Sequence, residues 1–221
     1  MIMYRNALIS LLIPLFFIVF NSCTATHYFK TPNDVYRTEG TVVMEDGTER
    51  KGLITVLFEN GTDIRNQVMQ FTPAGSTIAE DIAITKISYY TINGSIYYPK
   101  YLNLYTSGTN HLLFVKRLSA AGSKIQLFEL HQKYKSNNTG EETVYYFITL
   151  PGSAKYETIE LTSDKLVPNF DIKMSGMVAD CPDLVQKIKS KKPAYNYSLV
   201  SFGPKKIEVM KRIISEYNSC R

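Results

Sequence analysis

Three histidines, three cysteines and a few acidic pairs are the side chains of this 221-residue chain with types suited to chemistry. The histidines are His27, His111 and His131. A protein zinc site needs three or four His, Cys or carboxylate ligands, and none of the three histidines has such a set at ligand spacing. Glu129 and His131 share one face of an expected strand, but one acid and one imidazole do not make a metal site. The His-Glu-x-x-His, Cys-x-x-Cys, P-loop, Gly-x-Ser-x-Gly and dinucleotide motifs are missing. No serine is followed by a lysine three residues later, which removes the simplest Ser–Lys nucleophile. Asp180 and Asp183 have types suited to general acid–base work, yet a helix start accounts for both. Glu80-Asp81 and Glu141-Glu142 read as charged loop residues. The sequence thus names no catalytic residue, no metal ligand and no cofactor.

Tyrosine offers a different chemistry. Tyr97, Tyr101 and Tyr105 share one parity of a strand-like segment, opposite Ile96, Tyr98, Leu102 and Leu104. Each phenol gives a large rigid contact area plus a hydroxyl, so such a row could hold a glycan or a peptide. The same row could instead pack under neighbouring helices or line a wet sheet face.

The address of the chain is written in its first 23 residues. Ala7 to Phe20 is an almost unbroken apolar run, preceded by Arg5 and interrupted by Pro14. A membrane-spanning helix needs roughly 20 apolar residues. The shorter run, with a positive start and small or polar residues after it, describes a secretory signal peptide over residues 1–22. Phe20-Asn21-Ser22-Cys23 then resembles the bacterial lipoprotein lipobox, where cleavage falls before a cysteine that carries diacylglycerol. Ser22 and Cys23 fit that pattern, whereas Phe20 and Asn21 depart from it. The resemblance implies lipidation at Cys23 and a membrane contact through the lipid. Ordinary cleavage after Ala25, giving a secreted or periplasmic protein, and a retained anchor are the other readings.

Acylation of Cys23 would leave Cys181 and Cys220 as an even pair in an oxidising compartment. They could close a disulfide or remain two separate thiols. The formal net charge of +5 is too small to imply nucleic acid, and export argues against it as well. The basic excess is uneven: residues 182–221 hold nine Lys/Arg against Asp183, Glu208 and Glu216, a net of +6. That end could lie against anionic headgroups or be a set of solvated helix faces.

The elements follow from periodicity and turn chemistry. Residues 23–38, with Thr31-Pro32-Asn33-Asp34, read as an extended tether. Strand-like runs then alternate with turn signals at Asp46-Gly47, Asn60-Gly61, Thr72-Pro73-Ala74-Gly75 and Asn93-Gly94. Ile82–Ile92 is expected as one strand, and Pro99 should put its strand at an edge or break it. Leu112–Val115 fits a strand or a helical turn; Lys124–Tyr134 and Thr143–Leu150 fit strands. From about residue 162 the spacing becomes helical. Helices are expected from about Pro168 to Val178, after Asp180-Cys181-Pro182-Asp183 with Asp180 as cap, and from Pro204 to Asn218. Tyr195–Phe202 between them could be a strand. Strands first and helices last imply α+β: an antiparallel meander at 39–161, sandwich or barrel-like, followed by two to three helices packed on the sheet over 162–221.

One wider likeness rests on this succession. Glu39-Gly40 through Asp46-Gly47 to Gly52-Leu53, then Leu113-Phe114, Lys124-Ile125-Gln126-Leu127-Phe128 and Tyr145-Tyr146, closing on Asp180-Cys181-Pro182-Asp183-Leu184 and Glu216-Tyr217-Asn218, resembles a group of uncharacterised exported envelope proteins of the Bacteroidetes type. The resemblance implies a place in the cell envelope and brings no activity with it. The expected function is a lipid-anchored, non-catalytic binding or structural module with an envelope protein or saccharide as partner. The alternative is an exported hydrolase, marked by a pocket that joins an acid with His111 or His131.

Overall fold

The computed structural model describes residues 34–56, 68–103, 110–133 and 142–220. Among the described residues ten antiparallel strands come first: β1 Val35–Met44, β2 Glu49–Val56, β3 Val68–Pro73, β4 Glu80–Ala83, β5 Ile87–Ile92, β6 Ser95–Asn103, β7 Asn110–Arg117, β8 Gln126–Lys133, β9 Glu142–Thr149 and β10 Ile159–Glu160. Three helices follow: α1 Phe170–Met177, α2 Pro182–Lys189 and α3 Gly203–Ser219. The molecule is therefore α+β, a β meander with a helical end. The hydrogen-bonding order is β10-β9-β8-β7-β6-β5-β1-β2-β3-β4. The expected turns at Asp46-Gly47, Ala74-Gly75 and Asn93-Gly94 are where their residues demand them, and Asn60-Gly61 lies outside the described residues. Gly47 and Gly94 have positive φ (85° and 73°), as does Asn93 (47°), and the Asp46 side chain accepts from Thr48 N–H at 2.8 Å.

The sheet is open in its hydrogen bonding yet curls strongly. Only Ile84–Lys86, a 3₁₀ turn, separates β4 from β5. Those strands are four positions apart in the sheet, about 19 Å if it were flat. The connection from Ala83 to Ile87 reaches roughly 14 Å at full extension. The sheet must therefore bend until β4 and β5 approach, and the enclosed side chains form one cluster: Val42, Ile54, Met69, Phe71, Ile87 and Tyr90 are all buried in it. Ile82–Ile92 is accordingly not one strand. The chain pairs with β3 through Ala83, turns, and then pairs with β1.

The second half curls towards the other face of the sheet: β7 gives Leu112 and Phe114 to the first core but Leu113 and Val115 to the second. Tyr101 N–H donates to the Tyr156 carbonyl at 2.8 Å, and the Thr158 hydroxyl donates to the Tyr101 carbonyl at 2.8 Å. The segment entering β10 thus returns from the β9 side to the outer edge of β6. Leu102, Leu113, Val115, Phe128, Leu130 and Phe147 are buried inside this half. Pro99 fits because β6 leaves β5 before reaching it: the β5 pairing ends at Tyr97, while β7 pairing continues through Pro99↔Phe114.

The helices cover the opposite face of β8 and β9. Leu127 and Ile148 pack with Phe170, Met174, Leu184, Ile188, Met210 and Ile213. Cys181 and Cys220 are bonded, with Cα atoms 5.8 Å apart and a sequence separation of 39, and they join the start of α2 to the end of α3. Three further expectations change. Residues 35–38 are strand, not tether, because buried Val35 belongs to the first core and pairs with Val56. Asp180 does not cap α2: the helix starts at Pro182, Cys181 holds the cap position, and the Asp180 carboxylate accepts from the Tyr217 hydroxyl at 2.7 Å. Tyr195–Phe202 is a series of turns rather than a strand, with Tyr197 buried and its hydroxyl donating to the Leu161 carbonyl.

Candidate functional site

Tyr101 and Tyr156 build the concave site of the second half. Their rings meet edge to face at 5.5 Å, and Tyr101 is 45% exposed. Tyr101 is held by its two backbone hydrogen bonds to the 156–158 segment. Tyr156 packs against the first core, its hydroxyl donates to the Thr85 carbonyl at 3.4 Å, and the Lys155 ammonium lies 5.0 Å from its ring centre. Lys155 is itself paired with Glu45 beside the first turn of the sheet. Both curled halves therefore contribute to the placement of these two rings.

They line an open groove of about 920 Å³ whose remaining wall carries Glu157, Glu160, Ser163, Asp164 and Lys165. Lys165 reaches Glu157 at 3.6 Å. Glu160 accepts from the Thr162 hydroxyl. Burial raises its carboxyl above the ordinary range, opposed by that hydrogen bond and by the Lys206 charge. The arrangement offers flat apolar rings beside charged and hydroxyl groups, which suits a ligand that stacks and hydrogen-bonds at once.

Lys100 lies directly behind the groove and is buried. Its ammonium donates to the Lys155 carbonyl at 2.7 Å and stands 5.3 Å from the Phe128 ring centre. Burial, and then the nearby Lys155 charge, lowers its pKa to about 8.

The tyrosine row is divided by the curl. Tyr97 is buried and stacks on Tyr90 at 4.7 Å, within the first core. It cannot belong to a binding face, because its side of β6 is the inside of the bend. Tyr101, four residues on, emerges where β6 has left β5. Tyr105 and Cys23 lie outside the described residues, as does His27. His111 is buried on β7, and His131 Nε2 is 3.7 Å from Glu129 Oε1, which also takes Lys116 at 3.0 Å. Neither histidine lines the groove. Among the described residues no three His, Cys or carboxylate side chains converge as metal ligands, and no helix is long and apolar enough to cross a membrane.

Tyr156, Glu157 and Glu160 carried no sequence signal. They stand in a turn-rich stretch without periodicity, and their relation to Tyr101 exists only because the chain returns across three strands. Comparison with protein-family models, with curated proteins and with solved structures finds no match.

Proposed function

We propose that this chain is a lipid-anchored, non-catalytic binding module of the bacterial cell envelope, with a saccharide of that envelope as its partner. The observation that carries the address is the N-terminal sequence itself: Arg5, the apolar run of residues 7–20, and Ser22-Cys23. The Cys181–Cys220 bond supports it, since disulfides persist in oxidising compartments. It also leaves Cys23 as the odd cysteine available for acylation. The likeness to exported envelope proteins of the Bacteroidetes type belongs to the same reading.

The groove at Tyr101 and Tyr156 favours a saccharide over a protein segment. An exposed phenol ring offers a stacking face for a pyranose, and Glu157, Asp164 and Ser163 offer hydrogen bonds to hydroxyls. Metabolic labelling with a palmitate analogue tests the address. The wild-type chain takes up label and fractionates with membranes, and Cys23→Ser does neither. Label retained by Cys23→Ser would overturn the anchor. Retention on isolated envelope glycans tests the partner.

A further inference from the structure

Leu199, Val200 and Phe202 are 59%, 87% and 85% exposed, three large apolar side chains within four residues. Single exposed apolar residues are ordinary; three on one tip are not. The tip is also rigidly built. Ser201 N–H donates to the Ser198 carbonyl at 3.0 Å, and Ser198 N–H donates to the Ser201 hydroxyl at 2.9 Å. On one side Tyr197 is buried, with its ring 4.2 Å from that of Phe170. On the other, Ile207 is buried, and the Lys206 ammonium donates to the Leu199 carbonyl at 3.1 Å. Core anchors on both flanks hold the apolar side chains out in water, where each is unfavourable.

The charge beside the tip has one sign of interest. Phe202 occupies the cap position of α3 with no side-chain hydrogen bond to the helix, and no acid lies in the first turn. Lys205 is exposed there and Lys206 follows it, although a helix start favours negative charge. Glu208 is exposed farther along α3, and Glu160 faces Lys206 from β10. Neither replaces the missing acid at the helix start. Apolar side chains on a projecting tip, with the exposed Lys205 ammonium just behind them, match the order of an anionic bilayer: acyl chains beneath, phosphates above.

We propose that Leu199, Val200 and Phe202 insert into the surface of an anionic phospholipid membrane, with Lys205 and the start of α3 on the phosphates. This contact is separate from any acyl chain on Cys23, so either can fail without the other. The test uses the full chain with Cys23→Ser, carrying an environment-sensitive fluorophore on Val200→Cys. It is mixed with phosphatidylcholine vesicles with and without phosphatidylglycerol. Emission shifts to the blue, and is quenched by lipid-borne quenchers, only when phosphatidylglycerol is present. The same label on Ile78→Cys, an exposed site between β3 and β4, stays in water. Phe202→Asp lowers vesicle affinity at least ~10-fold, from loss of an aromatic ring inserted in the bilayer surface, and Lys205→Glu lowers it ~5-fold or more. No shift at Val200, or an equal shift at Ile78, overturns the proposal. So does a shift that grows with protein concentration in the absence of vesicles, which would make a second copy the occupant.

Discussion

Gly40 of β1 and Gly52 of β2 face each other across the first hairpin, and neither has room for a side chain. A Cβ on Gly40 would stand 2.4 Å from the Thr91 carbonyl oxygen, and one on Gly52 would stand 2.1 Å from that of Thr72. Both obstacles are backbone of the next strand, so no rotamer change relieves them. The close approach lies where the sheet bends around its first core. Gly40→Ala is expected to destabilise the chain by about 3 kcal/mol, the upper end for overpacking. Gly47→Ala, with no atom within 4 Å of its Cβ, meets only the strain of positive φ. Urea unfolding midpoints that rank Gly47→Ala as the worse change would contradict this account of the bend.

The Cys181–Cys220 bond closes a loop spanning 39 residues of separation. The chain-entropy relation gives about 4 kcal/mol for a loop of that length. Replacing both cysteines by alanine should lower the unfolding midpoint of the helical end, and adding reductant to the wild-type chain should do the same. Peptide-resolved hydrogen exchange should show α2 and the end of α3 losing protection before β1 and β2. Equal loss throughout would mean that the bond does not act locally.

Lys100 gives the protein an alkaline signature. Its folded pKa is about 8, below the unfolded value of 10.5. Between these limits the unfolded chain holds a proton that the folded chain has released, so stability rises with pH. Below pH 8 the buried charge costs on the order of 2 kcal/mol after allowance for solvent screening. Lys206, lowered by burial in spite of Glu160, adds in the same direction. Above pH 10 the sign reverses, because burial raises Tyr90 and Tyr97 and holds Tyr217 at about 12. Stability should therefore climb from pH 8 towards 10 and fall beyond it. Lys100→Met should flatten the climb; an unchanged slope would remove Lys100 as its source.

Tyr101 and Tyr97 separate binding from folding. Tyr101→Ala removes an exposed ring and should weaken retention on envelope glycans about 10-fold, as expected for a lost stacking surface, with little change in unfolding. Tyr97→Ala removes a buried ring stacked on Tyr90 and should cost about 3–5 kcal/mol. Glycan retention by Tyr101→Ala equal to wild type would move the partner away from the groove.

The class of fold and most of the local geometry can be read from the residues in order. Asp46-Gly47 and Asn93-Gly94 sit in the turns their conformational freedom serves, and Ile207, Met210, Ile213, Ile214 and Tyr217 form the buried stripe that helical spacing implies. The parity of β6 was legible too, with Tyr97 and Tyr101 opposite Tyr98 and Leu102. Which side of that strand lies inside follows from the bend of the sheet. Period two assigns residues to faces but does not say whether a face is flat or curled, and the curl buries Tyr97 while releasing Tyr101. The return of Tyr156 to Tyr101, the burial of Lys100 behind it, and the meeting of Asp180 with Tyr217 rest on contacts between residues 37 to 55 apart in sequence. No local pattern encodes such contacts, because the first two are fixed by how far the sheet bends and the third by how α2 and α3 pack together.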